Sequence, residues 1–330
     1  MTMARSRLSF EAYFQGVRSG NKLILSKAIT LIESKLEQDR PLANQLINAL
    51  LPYSGQSIRI GITGVPGAGK STFIEAFGEH ITVGNKKIAV LAIDPSSKIS
   101  GGSILGDKTR MDALSRNPLA FIRPSPAGKE VGGVANKTLE SIILCEAAGF
   151  EVIVIETVGV GQSETMVKNM VDFFMLLVLT GAGDELQGIK RGIMEMADGI
   201  VINKADGDNI AKAGLTRKQF ESTLHLFPPP ESEWAVPVMT CSSLEKTGIA
   251  EIREMLNAYK TSTQNNGYWD SKRQAQKLNW MTRNLENLLL QSVFSDPGFK
   301  KELRATEEKV RKNELNPNEA ADYLFRLIRR

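Results

Sequence analysis

The sequence predicts an α/β chain built on a mostly parallel central sheet flanked by helices, and three observations carry that expectation. Short apolar runs alternate with stretches of helical spacing along the middle of the chain. The run Ser57-Ile58-Arg59-Ile60-Gly61-Ile62-Thr63 leads directly into Gly64-Val65-Pro66-Gly67-Ala68-Gly69-Lys70-Ser71, which reads as strand, glycine loop and helix. Further runs, Lys87 to Ile93 and Glu151 to Ile155, deliver a carboxylate at their tips, Asp94 and Glu156. Nearly unbroken apolar runs suit strands buried on both faces of a parallel sheet. Such sheets bind ligands at the C-terminal ends of their strands, which makes those tips the place to look for a site.

The chain opens with helical spacing over residues 1–53, in which Ala28, Leu31 and Ile32 form one apolar stripe and Leu42, Leu46, Ile47 and Leu50 another. Ser19-Gly20-Asn21 and Asp39-Arg40-Pro41 separate these helices, because Pro41 suits the first turn of a helix and not its interior. Whether the segment packs on its own domain or on a partner is open from pattern alone. Residues 54–260 follow as the sheet domain: a helix from Thr72 to about Ile81, strands Lys87 to Ile93 and Ala120 to Arg123, a helix from Gly133 to Ala148, then strands Glu151 to Ile155, Phe173 to Thr180 and Gly199 to Ile202. Thr261 to Gly267 is polar and reads as a linker into a helical segment, 261–330. There Leu278, Met281, Leu285, Leu288 and Leu289 make an apolar stripe that is buried against a partner, a sister chain or the chain's own sheet domain. Asn316-Pro317-Asn318-Glu319 opens the last helix, with Asn316 as its cap.

Composition narrows the classes. A chain of 330 residues, 42% hydrophobic, can bury a sizeable core. A net charge of +4 without a dense Lys/Arg run argues against nucleic acid as a partner. The two cysteines, Cys145 and Cys241, propose no disulfide framework and point to a reducing compartment. No apolar stretch is long enough for a membrane span and the first residues lack a signal-peptide core, so a cytoplasmic protein is expected.

The glycine loop carries the chemistry. In G-x-x-x-x-G-K-[ST] the glycines let consecutive N–H groups turn inward, and the following helix offers its positive end to the same spot. Gly64, Pro66, Gly67, Ala68, Gly69, Lys70, Ser71 and Thr72 are therefore expected to cradle a nucleotide's phosphates, with Lys70 on the β- and γ-phosphates and Ser71 on Mg²⁺. Glu156, followed by Gly159, fits the strand-end carboxylate that holds Mg²⁺ directly or through water, the Gly159 N–H facing the γ-phosphate. Asp94 is a further candidate, and Asp107, in the glycine-containing loop Ile99 to Met111 where contacts to γ-phosphate and Mg²⁺ would give switch behaviour, is either a site residue or a helix cap or solvated surface charge. Gln162 either orients a water or is an ordinary loop residue. Asn203-Lys204-Ala205-Asp206 selects the base: the aspartate accepts from guanine N1–H and the 2-amino group, which adenine lacks, while the lysine stem packs along the ring. The later Thr240-Cys241-Ser242-Ser243 and Lys246-Thr247-Gly248 fit a loop that covers the base, with Ser242 and Ser243 as its contacts. GTP is expected over ATP.

Gly61 to Gly78, Ala92 to Ser97, Gly101 to Met111, Phe121 to Pro126, Leu144 to Phe150, Ile155 to Glu164, Gly181 to Asp198 and the N-K-A-D run together resemble the MeaB/ArgK/MMAA family, P-loop GTPase chaperones of adenosylcobalamin-dependent methylmalonyl-CoA mutase. The resemblance implies a homodimer with a C-terminal dimerisation arm, coupling GTP hydrolysis to loading, gating and protection of the mutase cofactor. By match of motif it implies that Asp94, Asp107 and Glu156 form the acidic set around the metal and the attacking water. Gln187 and Lys190 fall in a third switch loop through which partner binding is communicated. Ala127-Gly128-Lys129-Glu130 and Asn136 depart from the family pattern, which bears on partner contact and not on nucleotide binding. Three other readings compete. A nickel-inserting metallochaperone GTPase would need soft ligands, and the chain offers only His80, His225 and two distant cysteines. A protein kinase acting on a transport protein would need a catalytic Asp-and-Asn loop that is not recognisable here. A nucleotide-gated scaffold would hydrolyse negligibly.

Overall fold

The computed structural model describes residues 7–93, 111–124, 131–157, 163–180 and 191–328. The chain divides into two compact units, Met1–Gln276 and Lys277–Arg330.

The first unit is organised on seven strands, β1 Ile58–Thr63, β2 Ile88–Ile93, β3 Ala120–Pro124, β4 Val152–Thr157, β5 Phe173–Leu179, β6 Gly199–Asn203 and β7 Val238–Thr240. They form one sheet in the order β3-β2-β4-β1-β5-β6-β7, and every neighbouring pair is parallel. Side-chain alternation assigns the two faces. Phe173, Met175 and Leu177 of β5 join Val201 of β6 in one core, while Leu176 and Val178 join Ile200 and Ile202 in the other. Both faces are dry because helices cover both, and a fully buried aromatic or branched side chain contributes about 1.5–3 kcal/mol by leaving water.

On the first face lie α4 Lys70–Val83, α5 Asp112–Arg116 and α10 Ile249–Asn265, through Phe73, Phe77, Leu114, Ile252 and Leu256. The opposite face receives α8 Arg191–Met196 and α9 Ile210–Leu224, through Ile193, Met194 and Phe220. The N-terminal helices α1 Phe10–Arg18, α2 Lys22–Ile32 and α3 Arg40–Leu50 pack on α6 Val131–Ala147. Val17, Leu25, Ile29, Leu46 and Leu50 are completely buried there. Polar ties fix the seating: Arg18 donates to the Ala147 carbonyl at 3.0 Å, and Arg123 at the end of β3 pairs with Glu33 at 2.6 Å. The segment thus packs on its own sheet domain.

Three local expectations shift. The helix after the glycine loop begins at Lys70 and not Thr72, because Gly69 at φ 83° turns the chain and its carbonyl accepts the first helical bond, from Phe73 N at 2.8 Å. β4 continues through Thr157, so Glu156 is the penultimate residue of a buried strand and not the start of a loop. Thr261 to Asn265 is helix and not linker. Thr263 is fully buried with its hydroxyl donating to the Tyr259 carbonyl at 2.7 Å, so a polar composition is satisfied inside the helix. The turn falls at Asn266-Gly267, with Gly267 at φ 77°.

α11 Tyr268–Ser295 begins in the first unit and contributes its later turns to the second, which also holds α12 Pro297–Arg311 and α13 Pro317–Ile328. Asp296 caps α12 by accepting from Phe299 N at 2.6 Å, and Asn316 accepts from Asn318 N at 2.8 Å in the first turn of α13. The helices α12 and α13 pack on each other, with Tyr323 donating to Glu302 at 3.1 Å. Leu278, Met281, Leu285, Leu288 and Leu289, the stripe read from the sequence, are all exposed, by 38–62%.

Candidate nucleotide site

The loop between β1 and α4 owes its shape to its neighbours. A side chain on Gly64 would place its Cβ 2.2 Å from the Leu177 carbonyl oxygen of β5, and one on Gly69 would place it 2.6 Å from Asn203 Nδ2. Only glycine lets the backbone lie this close at the first position, and at the second φ of 83° adds the left-handed requirement. A Cβ on Gly67 would meet no atom of the described residues within 4 Å, so that side of the loop is open. Pro66 and Gly67 are exposed, whereas Ala68 is completely buried and anchors the curl. Thr72, also exposed, lies in the first turn of α4.

Lys70 bends back over the loop and donates to the Gly64 carbonyl at 2.8 Å and the Val65 carbonyl at 3.4 Å. Burial holds its basicity below the ordinary lysine range, partly offset by the Glu156 carboxylate. The Ser71 hydroxyl donates to Glu156 Oε1 at 3.2 Å, so the loop serine and the strand-end carboxylate meet at one corner. Both are hard oxygen donors of the kind Mg²⁺ takes, and Ser71 stands in the first turn of the helix that follows the glycine loop. Beneath them the Thr157 hydroxyl donates to Thr63 Oγ1 at 3.0 Å, joining the tips of β1 and β4.

At the end of β6 Asn203 binds both halves of the site. Its Nδ2 donates to the Ala68 carbonyl at 2.9 Å, and its Oδ1 accepts from the Ser243 hydroxyl at 2.7 Å and the Ser243 N–H at 3.2 Å. Lys204 is exposed at φ 60°, and its Cε comes within 3.9 Å of the Cβ position at Gly69, which lays the lysine stem beside the phosphate loop. Asp206, half-buried, accepts from the Ser242 hydroxyl. Ser242 therefore orients the carboxylate, and Ser243 orients the asparagine. A groove of about 890 Å³ beside the edge strand β7, lined by Trp234, Val236, Met239 and Met255, reaches this region at Ala205, Thr240, Cys241, Thr247 and Gly248.

The described residues thus bring together Gly64 through Thr72, Glu156, Asn203, Lys204, Asp206, Ser242 and Ser243. Asp94, Asp107, Gly159, Gln162, Gln187 and Lys190 lie outside the described residues. Two residues read from sequence only as members of the base-covering loop have specific partners. Cys241 donates its S–H to Asn203 Oδ1 at 3.5 Å, and its carbonyl accepts from Ala205 N at 3.0 Å. Burial pushes that thiol up to about 12. Lys246, in the loop after Ser243, pairs with Glu79 on α4. The signal for Cys241 was its place in the base-covering loop, while the pairing of Lys246 has no local signature.

A parallel seven-stranded sheet with a phosphate loop, a strand-end carboxylate and an N-K-x-D strand defines a P-loop nucleotide hydrolase of the guanine-selective kind. Comparison with known proteins agrees. The family model described as methylmalonyl-CoA mutase-associated GTPase MeaB matches residues 25–298. The chain is 46% identical over 312 residues to the GTPase ArgK of Escherichia coli, covering 94% of each chain. It is 41% identical over 326 residues to a mitochondrial methylmalonic aciduria type A homolog of Mus musculus, covering 96% of this chain and 79% of that protein. A crystal structure described as a LAO/AO transport system kinase superposes with a TM-score of 0.77 at 39% identity, covering 98% of this chain and all of that one. The chain belongs to the MeaB family of GTPases.

Proposed function

We propose that this GTPase assists an adenosylcobalamin-dependent methylmalonyl-CoA mutase, using Mg²⁺·GTP binding and hydrolysis to time cofactor loading, gating and protection. The observation that carries the reading is the match to a mutase-associated GTPase family across residues 25–298, supported by the methylmalonic aciduria type A relative. In this reading Lys70 neutralises the β- and γ-phosphates, Ser71 and Glu156 hold Mg²⁺ together with Asp94 and Asp107, and the Gly159 N–H meets the γ-phosphate. Asp206 receives the guanine N1–H and 2-amino group, with Asn203, Lys204, Ser242 and Ser243 closing the base site. Bound Mg²⁺ supplies charge neutralisation on the phosphates. The protein's own groups position the triphosphate and the attacking water, which is most of what phosphoryl transfer needs. Gln187 and Lys190 carry the contact that reports the partner.

The same reading makes the chain a homodimer through residues 261–330, where the exposed stripe Leu278, Met281, Leu285, Leu288 and Leu289 requires an apolar cover. The proposed location is the cytoplasm, in keeping with Cys145 and Cys241 as free, buried thiols. Among the described residues no helix is long and apolar enough to cross a membrane. The test is co-purification with a cobalamin-dependent methylmalonyl-CoA mutase in the presence of a non-hydrolysable GTP analogue, with hydrolysis followed in parallel. A stable complex and a mutase-dependent hydrolysis rate are expected. A mutase that neither binds nor alters the rate overturns the partner and leaves the GTPase.

A further inference from the structure

The strand ends opposite the nucleotide hold a buried cluster of charges that hydrolysis does not use. Asp198, immediately before β6, is only 6% exposed and uses one oxygen three ways. Its Oδ2 accepts from Phe174 N at 2.8 Å, lies 2.7 Å from Lys168 Nζ and lies 3.6 Å from Lys272 Nζ. Lys168 is the last residue of α7 Ser163–Lys168, the first described helix after the tip of β4 that bears Glu156. Lys272 lies in the first turns of α11 and also donates to the Asp172 carbonyl.

Each side of this junction packs on the sheet domain. α7 lies against β1 where Gly61 has no side chain, since a Cβ there would come within 2.8 Å of Val167. The root of α11 is held by Arg273, which pairs with Asp172 at 2.7 Å and donates to the Ser57 carbonyl at 2.6 Å, and by Gln276, which donates to the Val171 carbonyl at 2.8 Å. Between these elements stand two ammonium groups and one shared carboxylate oxygen. Lys272 divides its donors between this oxygen and the Asp172 carbonyl, whereas Lys168 stands closer to the carboxylate, at 2.7 Å against 3.6 Å, so a shift of either element changes what Asp198 offers the other. Burial already holds Lys168 down to about 8 against the pull of Asp198, and the neighbouring Lys272 lowers it further. Lys168 is the closer of the two here, and a withdrawal of its ammonium would leave Oδ2 to Lys272.

We propose that Asp198 is a positioning residue that couples α7 to the root of α11, so that a displacement of α7 on nucleotide exchange is exchanged for a closer Lys272 contact. The coupling rests on the GTPase activity of the family and not on the mutase. It runs at the far end of β6 from Asn203, a strand of five residues, on the order of 15 Å from the base site at the usual rise per residue. A discrete element that two regions both bias is the physical form that such coupling takes.

Hydrogen–deuterium exchange on the full chain, loaded with GDP or with a non-hydrolysable GTP analogue, tests it. In the wild type the nucleotide is expected to alter exchange in residues 163–168 and in residues 268–276 together. In Lys272→Met the change at 268–276 should shrink by about fivefold, the low end of ordinary coupling energies, while that at 163–168 remains. Asp198→Asn keeps an oxygen for the Phe174 N–H and should show the same loss. Nucleotide titration of the same samples separates failure of this junction from failure of the site. A wild type that binds nucleotide without any change at 268–276 overturns the proposal. So do variants that are less stable but keep the full nucleotide-dependent change, since that is what a purely structural role would give.

Discussion

Asn203 Nδ2 donates to the carbonyl oxygen of Ala68 at 2.9 Å, which ties the strand bearing the base-selecting residues to the loop that cradles phosphate. The same side chain accepts two bonds from Ser243, so one buried amide joins three segments distant in sequence. Asn203→Ala would strand the Ala68 carbonyl and the Ser243 donors at about 1–3 kcal/mol each. Weaker binding of both GDP and GTP, by roughly tenfold or more, is expected in titration with a fluorescent guanine nucleotide, together with a lower melting temperature.

Asp206→Asn tests base selection more narrowly. The substitution keeps an oxygen for the Ser242 hydroxyl but removes the charge that accepts from guanine. A charged hydrogen bond is worth about 1.5–3 kcal/mol, so GTP affinity should fall by roughly 10- to 150-fold. Xanthosine triphosphate, whose 2-oxo group can accept from the new amide, should bind better than before. An unchanged preference for GTP over ATP would remove Asp206 from the base site.

Lys70→Ala removes the cation that lies across the Gly64 and Val65 carbonyls. Single-turnover GTP hydrolysis should drop below detection, a loss of at least about a hundredfold, the scale on which one electrostatic donor acts in acyl and phosphoryl transfer. Folding should survive, since the same carbonyls can bond to water at the open face of the loop. Wild-type turnover in this variant would count against the loop as the catalytic corner.

The two-lysine junction makes a prediction in pH. Lys168 titrates near 8 in the folded chain and near the ordinary 10.5 when unfolded. The unfolded state therefore holds the extra proton between those values, and stability rises with pH across that window. Above about 10 the buried phenols oppose it, because Tyr259 and Tyr268 are both raised, Tyr268 to about 12, and unfolding releases their protons. Burial sets the effect first, with Asp198 opposing it and Lys272 adding to it. Melting temperatures from pH 7.5 to 9.5 should climb in the wild type relative to Lys168→Met, and coincident curves would refute the assignment.

Arg273→Ala should be the most damaging single change at that end of the molecule. The guanidinium donates to both Asp172 oxygens and to the Gly55 and Ser57 carbonyls, and it lies 4.6 Å over the Trp269 ring. Its loss leaves Asp172, 1% exposed, with only part of its compensation, since Arg59 N still donates to it at 2.8 Å. Destabilisation of about 3–5 kcal/mol is expected in urea unfolding, with Arg273→Lys recovering part of it.

What the sequence disclosed follows the reach of its signals. Gly64 through Ser71 and Asn203 through Asp206 could be singled out because fixed local spacing is itself the signal, and a mostly parallel sheet was legible because β1, β4, β5 and β6 are apolar along most of their length. Thr261 to Asn265 misled, because hydroxyls that bond back to their own helix look like a linker in composition. The seat of α11 was hidden for another reason. Arg273 reaches back 218 residues to Gly55, and no periodicity records a pairing at that distance. Lys168, Asp198 and Lys272 were invisible on the same ground, each an ordinary charge until the sheet assembles them.

The close approach of Gly64 to Leu177 has a bearing on ligand capture. Because that corner is moulded by β5, a neighbouring strand, its curvature is fixed when the sheet forms and does not wait for a visitor. An incoming anion then loses little to the ordering of its host, so even small fragments of the nucleotide, such as pyrophosphate, should bind this corner with measurable strength.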